Sequence, residues 1–137
     1  MIKVFTDGAS RSNPGLASCA YVILIEEHCV FEFSKFLGIR TNNAAEYLAV
    51  KFALEKCKEK NYSDIFLYSD SLLVVHQCNH KWKVKSQDLY PIYQEVMELI
   101  RNFHSVNFIH IPREQNSHAD RLCNEILDKV SVEINNQ

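Results

Sequence analysis

The apolar positions of this 137-residue chain change period several times, and each change marks an element. Residues 2–6, "SCAYVILI" (18–25) and "CVFEFSKFL" (29–37) are short runs rich in β-branched and aromatic side chains, which predicts three strands. Asn13-Pro14-Gly15 punctuates the first two, and the polar Glu26-Glu27-His28 joins the next two in hairpin fashion. From Asn43 to Lys60 the pattern becomes helical, with Ala45, Leu48, Ala49 and Phe52 on one stripe and lysines toward the end, where they suit a helix C-terminus. "DIFLYSD" (64–70) then predicts a short buried strand.

The second half alternates helix and strand. "SLLVVHQC" (71–78) fits a short helix, and "DLYPIYQEVMELIRNF" (88–103) an amphipathic one with Leu89, Ile92, Tyr93, Val96, Leu99, Ile100 and Phe103 along its stripe. Pro91 falls in its first turn, where proline is tolerated. "VNFIHIP" (106–112) predicts a fifth strand, and "SHADRLCNEILDKV" (117–130) a last helix that buries Ala119, Leu122, Cys123, Ile126, Leu127 and Val130. The order β-β-β-α-β-α-α-β-α implies an α/β fold with a mixed sheet covered by helices, because a helix between two strands implies a crossover to a parallel partner. The length suits a single domain over residues 1–137, with 130–137 expected to form a flexible tail.

Composition narrows the setting. Hydrophobic residues at 47% and charged ones at 23% are those of an ordinary globular protein rather than a disordered one. Five widely spaced cysteines without a CxxC pair point to reduced, mostly buried thiols and not to a zinc or redox motif. No apolar run approaches the roughly 20 residues of a membrane span, and "MIKVF" opens without a basic leader, so a soluble cytoplasmic protein is expected, or a nuclear one in a cell with a nucleus. A net charge of −2 gives no global attraction to nucleic acid, so any polyanion must be held by a local basic site or by metal ions.

Most of the 17 acidic residues need no explanation beyond a solvated surface, but four fall in unusual places. Asp7 ends the first predicted strand and Asp70 the fourth; if these strands are parallel neighbours, both carboxylates emerge at one sheet edge, where open α/β sheets commonly bind ligands. Glu46 and Asp120 lie in the first turns of predicted helices. Taken singly, each has an ordinary role in complementing the helix N-terminus. Together the four are harder to dismiss, since carboxylates drawn close repel unless a cation holds them. All-oxygen ligation without thiol or imidazole favours Mg²⁺. Paired ions about 4 Å apart can flank an in-line displacement at phosphorus, which suggests phosphodiester hydrolysis.

The motifs "FTDGASRSNPG", "TNNAAE", "YSDS" and "HIPREQNSHAD" occur in an order and at separations that resemble the ribonuclease H type 1 family, from Ile2 to about Leu127. The resemblance implies the ribonuclease H-like fold: a five-stranded mixed sheet with three antiparallel N-terminal strands, then parallel strands, flanked by helices. It also implies endonucleolytic cleavage of the RNA strand of an RNA/DNA hybrid, leaving 5′-phosphate and 3′-hydroxyl ends. By the same resemblance Asp7, Glu46, Asp70 and Asp120 are the catalytic carboxylates and hold two Mg²⁺ ions, Mn²⁺ being the alternative. Asp7 bridges both ions, Asp120 lies on the nucleophile side, and Glu46 and Asp70 lie on the other.

Hybrid recognition is expected from side chains near these acids. Gly8 and Ser10 would allow close approach of the backbone, and Asn13, Asn42 and Asn43 could read 2′-hydroxyls in the minor groove. Asparagine is also common in turns and N-caps, and Asn42 or Asn43 is expected to cap its helix as well. The resemblance assigns Thr41 to a DNA-strand phosphate. "HKWKVKSQ" interleaves Trp82 with Lys81, Lys83 and Lys85; composition fits a solvated loop or a phosphate-contacting one equally, and the resemblance favours DNA contact by Trp82 and Lys85. Two features depart from many family members: a longer basic insertion near this loop is missing, and Leu72 stands where glutamine is common. For the accessory residue, Arg113 is expected near the site through a shortened loop, with His110 structural inside its strand and His118 at the helix start as a third candidate. A monomer is the simplest expectation.

Overall fold

The computed structural model describes residues 1–136 and contains β1 (Ile2–Ser10), β2 (Gly15–Ile25), β3 (His28–Arg40), α1 (Asn42–Glu59), β4 (Asp64–Ser69), α2 (Leu72–Cys78), α3 (Tyr90–Ile100), β5 (Ser105–His110) and α4 (Ser117–Asn135). One turn of 3-10 helix, Arg113–Asn116, leads into α4. The strands form one sheet in the order β3-β2-β1-β4-β5. Pairing is antiparallel within β1–β2–β3 and parallel for β1–β4 and β4–β5. Hairpin-type connections suffice for the first three strands, whereas the parallel neighbours need the crossovers supplied by α1 and then by α2 and α3.

Pleating sorts the side chains of β1 and β2 into two layers. Val4, Cys19, Tyr21 and Ile23 face α1 and form the main core with Tyr47, Leu48 and Leu54 of that helix, Leu67 of β4 and Val96 of α3. The opposite layer meets α4: the Ser18 hydroxyl donates to the Cys123 carbonyl at 2.9 Å, and Ala119, Cys123 and Leu127 are buried, with Leu122, Ile126 and Val130 half-buried beside them. Helix α1 is buried at every residue from Ala44 to Val50, because the sheet covers one side and α3 the other. Its buried Tyr47 hydroxyl is satisfied by Gln77 Oε1 at 2.6 Å.

Four local features differ from the sequence reading. Strand β1 runs three residues beyond Asp7: its parallel pairing with β4 stops at Thr6, while its antiparallel pairing with β2 continues to Ser10. Asp7 therefore stands where the strand loses one neighbour, not where it ends. The cap of α1 is Thr41, whose Oγ1 accepts from the Ala44 amide at 3.1 Å; Asn42 and Asn43 are already inside the helix, and the Asn42 amide is met by Asn13 Oδ1 at 3.0 Å. This start also moves Glu46 past the first turn, so helix-end complementation does not account for it. Finally, α4 continues through the expected tail to Asn135, since no glycine or proline interrupts it; Gln137 lies outside the described residues. No helix among the described residues is long and apolar enough to cross a membrane.

Gly8 fixes how α1 sits on the sheet. A Cβ there would lie 2.3 Å from both the Ala45 carbonyl carbon and the Glu46 amide nitrogen, so only glycine admits the helix backbone. Gly8→Ala is expected to lower stability by about 1–3 kcal/mol, the usual scale of overpacking. Urea unfolding checks this; an unchanged midpoint would mean that the contact relaxes without consequence.

Candidate active site

Three carboxylates reach one point from three elements: Asp7 from β1, Glu46 from α1 and Asp70 from the residue after β4. One oxygen from each lies within 4.8 Å of the others. The Gly8 amide donates to Asp7 Oδ1 at 3.0 Å and also to Glu46 Oε1, so one N–H serves both acids. Asp70 is held by Asn116, whose Nδ2 donates to Asp70 Oδ2 at 3.2 Å and to the Thr6 carbonyl at 2.9 Å. Asp120, in the first turn of α4, lines the same cleft and completes the acidic wall. The four line a cleft of about 300 Å³ together with Gly8, Ala9, Ser10, Arg11, Asn42, Arg113 and Asn124.

Burial governs the charge state here. Asp7 and Glu46 are each 5% exposed. Burial first, and then the neighbouring Asp70 and Asp120, push the Asp7 carboxyl up to about 7. Burial and the adjacent Asp7 likewise raise Glu46 well above the ordinary carboxylate range. No lysine or arginine pairs with Asp7, Glu46 or Asp70 among the described residues, and only Arg113 Nη2, 3.8 Å from Asp120 Oδ1, offsets the fourth. An oxygen-only donor set with this unbalanced charge fits a hard divalent cation.

The other candidates divide between the cleft and its surroundings. Gly8, Ser10, Asn42 and Arg113 line it. Ser10 Oγ lies 2.9 Å from the Arg40 carbonyl and also contacts Ser12 O. Asn13 and Asn43 are exposed beside the start of α1, and the Thr41 hydroxyl is 3.4 Å from Asp88 Oδ2 as well as capping the helix. Trp82 and Lys85 line a separate groove with Leu73, Gln77, Lys81 and Lys83. The Trp82 ring packs edge-on to His76 at 4.5 Å while 44% of the residue is exposed. Its loop is tied down by Gln77 Nε2, which donates to the Lys83 carbonyl at 3.1 Å.

His110 lies inside its strand, as the last residue of the edge strand β5, and its side chain is exposed. His118 turns toward β3, where Nε2 meets Glu32 Oε1 at 2.7 Å. Three residues of the site were not singled out from sequence: Arg11, Asn116 and Asn124. Asn116 resembles any helix-start asparagine until the fold brings it under Asp70. Asn124 did carry a signal, since four residues after Asp120 it must share a helix face with it.

The family model described as "Reverse transcriptase-like" matches residues 5–126. Ribonuclease HI of Halobacterium salinarum is 38% identical over 128 residues, covering 93% of this chain and 64% of the relative. The bifunctional protein Rv2228c of Mycobacterium tuberculosis is 34% identical over 129 residues, which cover 93% of this chain and 35% of the relative, so the chain spans about a third of that protein's length. Among solved structures, LC11-RNase H1 in complex with an RNA/DNA hybrid superposes with a TM-score of 0.90 at 34% identity, covering 95% of this chain and 99% of that one. These matches define an α/β fold of the ribonuclease H kind. Within it, the chain belongs to the ribonuclease H type 1 family.

The buried carboxylates set a pH dependence of unusual sign. With a folded-state value near 7 against 3.8 for the free group, Asp7 keeps a proton that the unfolded chain releases, so its contribution to metal-free stability declines as pH rises from about 4 to about 7. Asp7→Asn removes that penalty. In chelator the variant is expected to melt above the wild type at pH 8, by roughly 4 °C per kcal/mol gained, and to match it near pH 4; Mg²⁺ should narrow the gap at pH 8. Melting curves across pH check this, and a variant less stable than wild type at pH 8 in chelator contradicts it.

Proposed function

We propose that the chain is an endoribonuclease that hydrolyses the RNA strand of RNA/DNA hybrids, with two Mg²⁺ ions held by Asp7, Glu46, Asp70 and Asp120, and Mn²⁺ as a possible substitute. The observation that carries this reading is the meeting of four carboxylates in one cleft, three of them without a cationic partner among the described residues, in a chain of the ribonuclease H family. A module that only bound nucleic acid would gain nothing from buried negative charge facing its ligand. Asp7 is grouped with Glu46 and Asp70 and shares the cleft with Asp120, which would suit it to serve two ions. Cations bound there would offset the carboxylate repulsion and supply Lewis-acid activation of water and of the leaving oxygen, giving 5′-phosphate and 3′-hydroxyl products.

The protein's own groups would orient the hybrid. Gly8 and Ser10 leave the cleft floor open to a phosphodiester backbone, and Asn42, with exposed Asn13 and Asn43 beside it, offers amides to the 2′-hydroxyls that distinguish RNA from DNA. Thr41 and the groove of Trp82 and Lys85 would follow the DNA strand, by phosphate contact and by stacking on an exposed ring. The Arg113 side chain is 79% exposed at the cleft rim and can turn from Asp120 to an entering phosphate. His110, outside the cleft lining, is the weaker accessory candidate. A monomer in a reducing cytoplasm completes the reading, which five free thiols suit.

Asp7→Asn is expected to reduce hybrid cleavage in Mg²⁺ by on the order of 10²–10³-fold or more, the scale of single preorganised electrostatic groups, in a protein that remains folded; retained turnover would sink the assignment. Asn43→Ala should lose activity on hybrid while binding metal normally. Unchanged kinetics in a gel-based cleavage assay would remove Asn43 from the RNA-reading set.

A further inference from the structure

The turn between β1 and β2 sends two side chains toward opposite helices. Asn13 reaches α1, where Oδ1 accepts from the Asn42 amide at 3.0 Å. Arg11, two residues earlier, reaches α4: Nη2 lies 2.7 Å from Asp128 Oδ1, 3.3 Å from Asn124 Oδ1 and 3.4 Å from the Asn124 carbonyl. A turn of four residues thus links the helix that carries Glu46 to the helix that carries Asp120.

Asn124 uses both ends of its amide. Oδ1 accepts from Arg11, and Nδ2 donates to Asp120 O at 3.0 Å and to Asp120 Oδ1 at 3.3 Å. Turning the amide over would set its NH₂ against the guanidinium and its oxygen against the carboxylate, so Arg11 fixes which way it points. Asp120 needs this help most. Asp7 and Glu46 share the Gly8 amide, and Asp70 is held by Asn116. Among the described residues Asp120 has only Asn124 and the exposed Arg113, whose guanidinium is 3.8 Å away. Its side chain is 30% exposed and free to leave the cleft without such a hold.

We propose that Arg11 and Asn124 are positioning residues for Asp120: Arg11 locks the Asn124 amide, and Asn124 keeps the Asp120 carboxylate in the cleft beside Asp7. The proposal rests on reading the cleft as a divalent-cation site. Asp128 anchors Arg11 from the surface, with 71% of its side chain exposed, and a pair so exposed adds little to stability. The network therefore acts on the site and not on the fold.

Mn²⁺ alone serves as the probe, titrated calorimetrically into the full chain at pH 8 without nucleic acid and compared with melting temperature and with hybrid cleavage. Asn124→Ala is expected to weaken Mn²⁺ binding by about 10-fold, within the range of outer-shell ligand partners, and Arg11→Ala by several-fold. The double variant should be no weaker than Asn124→Ala, because Arg11 acts through Asn124. Arg11→Lys should recover part of the loss, and metal-free melting temperatures should stay within a few degrees of wild type. Cleavage should show a raised Mn²⁺ requirement with an unchanged KM for hybrid.

Unchanged Mn²⁺ affinity in Asn124→Ala, or additive losses in the double variant, would overturn the proposal. A raised KM for hybrid with normal Mn²⁺ binding in Arg11→Ala would also overturn it, and would make Arg11 a direct phosphate contact. If Mn²⁺ binding depends on the relay as stated but wild type leaves hybrid intact, the ribonuclease reading fails and the positioning role stands. If wild type binds no Mn²⁺, both fail.

Discussion

At Gly8 the backbone of α1 lies against β1 with no room for a side chain, and the other features of the cleft depend on that contact. It brings Glu46, in the second turn of the helix, beside Asp7 on the strand, and it leaves a single amide to serve both acids. Two carboxylates this close in a buried place share too little hydrogen bonding to stay ionised comfortably, and both are raised accordingly. The fold therefore holds a site that is electrostatically unfinished in the protein alone. A divalent cation would complete it with the least rearrangement, because all the donors are already oxygens facing one cleft.

The rest of the architecture holds that arrangement from several directions. The parallel β1–β4 pair stops at Thr6 and Ser69, so Asp7 and Asp70 stand at one level just past it. Asn116 ties Asp70 to the Thr6 carbonyl just below. On the far side of the sheet Cys123 packs against β1 and donates to the Asp7 carbonyl at 3.4 Å, which sets the depth of the helix carrying Asp120. The groove that contains Trp82 belongs to a different part of the surface, anchored through Gln77 to Tyr47 in the core. Cleft and groove therefore share α1, which carries Glu46 into one and anchors the other through Tyr47.

Much of this was legible in the sequence. The change from period two to period 3.6 at Asn43 and the stripe from Leu89 to Phe103 gave element order and type, and hence the mixed sheet. The acids at Asp7 and Asp70 stood out because strand-associated carboxylates have no helix end to complement. What could not be read were features set by partners distant in sequence. Asp7 looked like a strand end because its local pattern cannot show that β2 accompanies β1 to Ser10 while β4 does not. The cap of α1 was misplaced by one or two residues because three consecutive positions, Thr41, Asn42 and Asn43, all suit it. His110 lies within β5 as its apolar neighbours suggest, but only the strand order shows that β5 is an edge and that this side chain meets solvent. Asn116 and Arg11 gain their roles only when α4 folds over the sheet.

The most direct measurement places wild-type protein on end-labelled RNA/DNA hybrid, duplex RNA and duplex DNA, each with Mg²⁺ and with chelator. Internal cleavage of the RNA strand of the hybrid is expected, dependent on Mg²⁺ and abolished by chelator, with the hybrid's DNA strand and duplex DNA left intact. Cleavage that persists in chelator, or a hybrid left whole while duplex DNA is cut, would contradict it.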